Sequence, residues 1–190
     1  MKSCTVGEVI ASSHTDLTDE HQSIHYPEIG TTALDGDTGN HTGTVSEKVT
    51  IEDTVKYTNL VPGKTYTIQG RLMVKETGEE LLVDGEPVTA KLQFVPEEPD
   101  GSVTLTYELD SRNLSGQTVV VFEKLVYNGI TVTGHEEIED EAQSIHYPKI
   151  RTTALDQQTG SHLAAVGLET VIEDTVAYEN LIRRALCHQW

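Results

Sequence analysis

The alternation of apolar and polar positions reads as a series of short strands. Val49, Ile51, Val55 and Tyr57 share one face of an extended segment, as do Tyr66, Ile68, Leu72 and Val74, and then Val103, Leu105, Tyr107 and Leu109. This period of two marks half-buried strands. A β-branched run, Thr118 to Val121, leads into Phe122-Glu123-Lys124-Leu125-Val126-Tyr127. Turn signals separate these windows: Pro62-Gly63, Thr77-Gly78, Asp84-Gly85, Pro99-Asp100-Gly101 and Asn128-Gly129. The last, flanked by β-rich segments, is a strong hairpin signal. No window carries a period of 3.6. About seven or eight short strands joined by tight turns predict an all-β fold, an immunoglobulin-like antiparallel β-sandwich. The Cys…Trp…Cys core of antibody domains is absent.

The chain also repeats itself. QSIHYPEIGTTALD at 22–35 returns as QSIHYPKIRTTALD at 143–156, and IEDTVKYTNL at 51–60 as IEDTVAYENL at 172–181, both 121 residues later. His14 and His135 stand at the same offset. Self-similarity at a fixed period predicts a tandem repeat: residues 1–27 end a preceding unit, 28–148 form one complete unit, and 149–190 begin a following one. Residues 182–190 depart from the repeat and read as an aberrant, truncated tail. Both flanks are expected to be poorly ordered, because neither can bury a core alone.

Thirteen Lys+Arg against thirty-one Asp+Glu give a formal charge of −18. Nucleic acid and anionic membranes would be approached against a repulsive field. No apolar window is long enough to span a bilayer as a helix, and the start lacks the apolar stretch of a signal peptide. Cys4 and Cys187 fit neither a disulfide framework nor a metal-site spacing. Neither a cofactor-binding motif nor a metal site is expected. The stretch Asp35-Gly-Asp37-Thr-Gly-Asn40 has a calcium-loop look, but its repeat counterpart at 156–161 lacks the second acid, so a hairpin turn is the better reading.

Several polar residues fall on faces that should be buried. Asp53 is in register with Val49, Ile51, Val55 and Tyr57; Glu123 lies among Val119, Val121, Leu125 and Tyr127. A buried carboxylate needs a partner or a proton. Thr31 shares a face with Ile29 and Ala33, and Gln143 shares one with Ile145 where the last strand of the unit should run. His135 precedes that strand.

These residues lie within four blocks, Thr31 to Asp35, Ile51 to Tyr66, Val121 to Glu123 and His135 to Ser144, which together resemble the VaFE repeat of Gram-positive surface proteins. That repeat is similar to the Thr-Gln ester-bond immunoglobulin-like domains of adhesin shafts. The resemblance covers the central unit and both partial ones. It implies that a Thr on the first strand and a Gln on the last are joined by an ester formed without an external enzyme, promoted by a His and two acids. By motif position these are Thr31, Gln143, His135, Asp53 and Glu123. Thr32 is the alternative nucleophile, with alternation favouring Thr31, and Asp110 or Glu108 are alternatives for the second acid. His135 would take the hydroxyl proton, and a protonated carboxyl of the acid pair would stabilise the oxyanion. The event is one turnover per unit, hence maturation and not enzymatic activity.

The resemblance thus implies a structural stalk repeat of an extracellular, cell-surface protein, wall-anchored in its parent. Its partners would be neighbouring repeats of the same chain, with any host ligand bound through other parts. The alternative is a ligand-binding β-sandwich adhesion module for carbohydrate or host protein. A hydrolase would need a nucleophile elbow or a His-Glu-x-x-His helix, and neither motif occurs.

Overall fold

The computed structural model describes residue 19 and residues 22–164, 166–167 and 169–182, together with the backbone of 2–6 and 9–14. The aberrant tail from 183 onward, Cys187, and the His14 side chain lie outside the described residues. At the N-terminal flank β1 (Lys2–Val6) pairs with β2 (Val9–His14). The central unit contains β3 (Glu28–Asp35), β4 (Val49–Thr58), β5 (Tyr66–Val74), the short β6 (Glu79–Glu80), β7 (Leu82–Val83) and β8 (Glu86–Pro87), then β9 (Thr89–Phe94), β10 (Gly101–Leu109), β11 (Thr118–Tyr127), β12 (Ile130–His135) and β13 (Ser144–His146). β14 (Lys149–Asp156) and β15 (Ile172–Glu179) close the described chain.

Two antiparallel sheets face each other. One has the order β10-β4-β3; the other runs β12-β11-β5-β6, with β13 also on β11 and β9 also on β5. The alternation seen in the sequence decides which side chains fill the space between them. On β4, Val49, Ile51, Asp53, Val55 and Tyr57 are buried, while Glu52, Lys56 and Thr58 point to water. Leu105, Tyr107 and Leu109 do the same on β10, and Tyr66, Ile68 and Leu72 on β5. The Asn128-Gly129 signal is a left-handed two-residue turn, φ 49° and 77°, between β11 and β12, as its residue types require.

β11 is buried on both faces over its first six residues. Its inner face belongs to the main core; on its outer face Val120 and Phe122 pack with Met73 beneath Ile138. The acidic connection 136–143 therefore lies over the sheet and does not hang free. It ends in a 3-10 turn, Glu141–Gln143, capped by Asp140. Sequence alternation put Gln143 in the last strand; in the structure it stands on this turn, immediately before β13.

The flanks carry ladders. β14 and β15 pair in the register of β3 and β4 displaced by 121 residues, Lys149 opposite Glu179 where Glu28 is opposite Thr58. β1 and β2 reproduce the register and the irregularity of β11 and β12. Every residue of β15 is exposed, so it has no core of its own; backbone pairing and contacts to the central unit hold it.

Candidate functional site

The edge strand of one sheet, β3, lies beside β12 and the 3-10 turn at the edge of the other. That seam gathers the polar residues which the apolar register singled out. Thr31 is buried on β3 and Thr32 is exposed, so the alternation had the facing right. Asp53, at the centre of β4, is flanked across the ladder by Ala33 and Leu105. Glu123, at the centre of β11, is flanked by Gly70 and His135. Asp53, Glu123 and Gln143 have no solvent exposure. Neither alternative acid enters the core: Glu108 pairs with Lys48 at the surface, and Asp110 forks with Arg112.

The Thr31 hydroxyl donates to Glu123 Oε2 at 3.3 Å. Gln143 closes on the same point. Oriented so that its nitrogen meets acceptors, its Nε2 donates to Glu123 Oε2 at 3.2 Å, to Thr31 Oγ1 at 3.1 Å, and to the Val121 carbonyl. Its carbonyl oxygen contacts Thr31 Oγ1 directly. The orientation is assigned from these partners. A hydroxyl, a carboxamide and a carboxyl thus meet where water does not reach.

Behind them are buried polar atoms without an aligned partner: both oxygens of Asp53, Glu123 Oε1, and the Tyr107 hydroxyl, which can itself donate. Two carboxyls facing each other in low dielectric are satisfied only when one carries a proton. Burial, then the Asp53 charge and hydrogen bond, push Glu123 up to about 10, against the pull of the Thr31 hydroxyl. Asp53 is raised by burial, which outweighs the lowering by a hydrogen bond to Glu123 and by the His135 charge. Glu123 is therefore the member of the pair that keeps its proton at neutral pH.

His135 Nε2 pairs with Asp140 Oδ2 at 2.8 Å, rather than with the Thr31 hydroxyl. Asp140 is fixed in turn: its Oδ1 accepts from the Ala142 amide at 2.8 Å, and its carbonyl accepts from the Ser144 hydroxyl. Burial pushes its carboxyl up, but the Ala142 amide and His135 together overcome this and hold it below the usual carboxylate range.

Sequence reasoning missed two residues here. Asp140 was hidden inside an acidic run; its only signal was an Asp placed two residues before a small residue, as a capping residue stands. Tyr107 read as plain core on an apolar face. Its buried hydroxyl approaches the place where a side chain on Gly70 would stand, and the charges of Glu123 and Asp53, added to burial, raise it further. The loop at 35–40 is a turn: Asp35 accepts from the amides of Asp37, Thr38 and Thr44 and from the Thr44 hydroxyl at 2.9–3.1 Å, which uses its lone pairs for the backbone.

The profile of the T-Q ester bond containing domain matches residues 27–147 and again 148–185. This chain belongs to that family. The two matched stretches of the T-Q ester bond domain are consecutive. Among solved structures, a bacterial adhesin from Mobiluncus mulieris containing intramolecular disulfide, isopeptide and ester bond cross-links is similar, with 17% identity, 82% of this chain and 75% of that chain covered, and a TM-score of 0.50. A second crystal form of it gives 17%, 82%, 74% and 0.48. At this identity the likeness concerns the fold, an all-β sandwich of antiparallel sheets. No curated protein matches.

Proposed function

We propose that the central unit joins Thr31 to Gln143 through an ester that it makes itself, and that the unit serves as a load-bearing repeat of a cell-surface stalk. The observation that carries this reading is the buried meeting of the Thr31 hydroxyl with the Gln143 carboxamide over the Glu123–Asp53 pair.

The chemistry balances within these residues. Thr31 Oγ1 attacks Cδ of Gln143 and forms the new C–O bond. Its proton passes to Glu123 Oε2 while Glu123 hands the shared proton to Asp53, so a pair that is half ionised acts as base without either carboxylate being exposed. The oxyanion forms where the pair's proton can be donated to it. The Cδ–Nε2 bond then breaks, the pair returns the proton to nitrogen, and ammonia leaves. His135, held by Asp140, supports an ionised Asp53 by its charge; this differs from the direct base role that the family resemblance implies, and it follows from Thr31 donating to Glu123. Burial keeps water from hydrolysing the product. Each unit reacts once, so the chain is not an enzyme.

The VaFE type, a Gram-positive wall-anchored parent, and a shaft position are the finer reading. They are supported by the repeat, by the acidic and cysteine-poor composition, and by an adhesin as structural neighbour. Force spectroscopy tests the mechanical part. Pulled from its ends, the wild-type central unit should give no extension step for the chain between 31 and 143, whereas Thr31→Ala should give the full step. A full step in the wild type would contradict the reading.

A further inference from the structure

Two asparagines 121 residues apart have left-handed backbone, Asn59 at φ 60° and Asn180 at φ 57°. Each follows the second strand of its copy of the repeat, β4 or β15. Such residues commonly turn their side chains onto their own loop. Here both reach across to the His-Tyr-Pro segment in front of their unit. Asn59 Nδ2 donates to the Tyr26 carbonyl at 3.0 Å, and its Oδ1 faces His25 Nδ1 at 3.0 Å. Asn180 Nδ2 donates to the Tyr147 carbonyl at 3.3 Å, and its Oδ1 faces His146 Nδ1 at 3.1 Å.

At the second joint the bonds cross into the body of the central unit. Asn180 Nδ2 also donates to the Gln117 carbonyl at 2.6 Å, and Oδ1 accepts from Thr118 Oγ1 at 3.4 Å. Two carbonyls can be served only by the NH2 group, so the amide orientation is fixed and its oxygen faces His146 Nδ1, while the other ring nitrogen, Nε2, faces Glu141 Oε2 at 3.1 Å. Beside this, the Ser115 hydroxyl donates to the Pro148 carbonyl at 3.2 Å. The linker is thereby tied from both sides.

The two joints differ in what stands before them. Tyr26 is 78% exposed, whereas Tyr147 is fully buried, its ring packed over Gly43. The same asparagine contacts form in both settings. They therefore belong to the linker and the unit that follows it, and the preceding body adds to them.

We propose that the Asn–His–Tyr contact is a clasp that sets each module on its predecessor at a fixed orientation, the partner surface being a second copy of the repeat. This deepens the stalk reading and rests on it for the identity of the neighbour, but it does not depend on the ester. The test is 15N relaxation on the whole chain with Asn180→Gly, since glycine keeps the left-handed turn and removes only the carboxamide. In the wild type, β14 and β15 should have order parameters like those of β4, about 0.8 or above; in the variant they should fall to about 0.6 or below while β4 is unchanged. Asn59→Gly should loosen 22–27 and leave β14 and β15 rigid. A mobile hairpin in the wild type, or an equally rigid one in Asn180→Gly, would overturn the clasp. Intact mass of the same samples reads the ester separately, so absence of the cross-link would count against the weld and not against the joint.

Discussion

Glu123 and Asp53 are two acids sharing one proton inside a sandwich, and that arrangement has a pH signature. An acid whose folded pKa is raised binds a proton in the native state over a range where the unfolded chain does not. Stability from Glu123 is thus fully present below about pH 4.5 and is lost as pH rises toward about 10. The limiting slope is about 1.4 kcal/mol per pH unit for one group. In a Thr31→Ala chain, which cannot cross-link, thermal unfolding should come at lower temperature at pH 9 than at pH 6, and adding Glu123→Gln should flatten this dependence. Equal slopes in both chains would contradict the shared proton. A second expectation concerns Asp140. Asp140→Asn, which releases the His135 charge that supports an ionised Asp53, should slow ester formation about tenfold, the effect of a barrier raised by about 1.4 kcal/mol, as followed by the time course of ammonia loss after refolding, without moving the unfolding temperature of the Thr31→Ala chain. Thr31, Asp53, Glu123 and Gln143 were legible in the sequence because each breaks an apolar register. Asp140 and Tyr107 were not, because a carboxylate in an acidic run and a tyrosine among leucines break nothing.

Among the elements, β5 and β10 are fitted to each other at one point, where the Tyr107 hydroxyl of β10 reaches the bare Gly70 of β5 opposite Glu123. A methyl group there has no room. Gly70→Ala should cost about 1–3 kcal/mol, the range for overpacking, and Tyr107→Phe should recover part of that loss in the double variant, as read by denaturant unfolding. If Gly70→Ala were neutral, the close approach would be wrong. The main strands were readable from period and turn chemistry alone: β4, β5, β10 and β11 lie where alternation put them, and the Asn128-Gly129 turn joins β11 to β12. Three short strands, β6 to β8, were not, since two-residue ladders leave no period to detect. The 3-10 turn at Gln143 escaped for a related reason. One residue of alternation with Ile145 cannot distinguish a strand from a turn that points the same way. The ladder at 149–179 follows from the repeat, since it copies the register of β3 and β4; the contacts of the Asn180 carboxamide were not legible, because a polar residue after a strand breaks no apolar register.

At the scale of the whole molecule, an ester between residues 31 and 143 closes a loop over nearly the entire central unit. Chain-entropy reasoning, developed for disulfides, assigns such a closure about 5 kcal/mol. Thr31→Ala should therefore unfold with a loss of about that size in denaturant, larger than the loss of one buried hydroxyl. The −18 charge adds self-repulsion that a covalent link resists. Under the proposed reading, an acidic, cysteine-poor chain gains a lock from side chains that are not thiols. Intact mass of the purified chain tests this most directly. The wild type should weigh less than its calculated mass by one ammonia, and Thr31→Ala and Gln143→Ala should match calculation. A wild type at its full calculated mass, with folding confirmed, would contradict the internal ester.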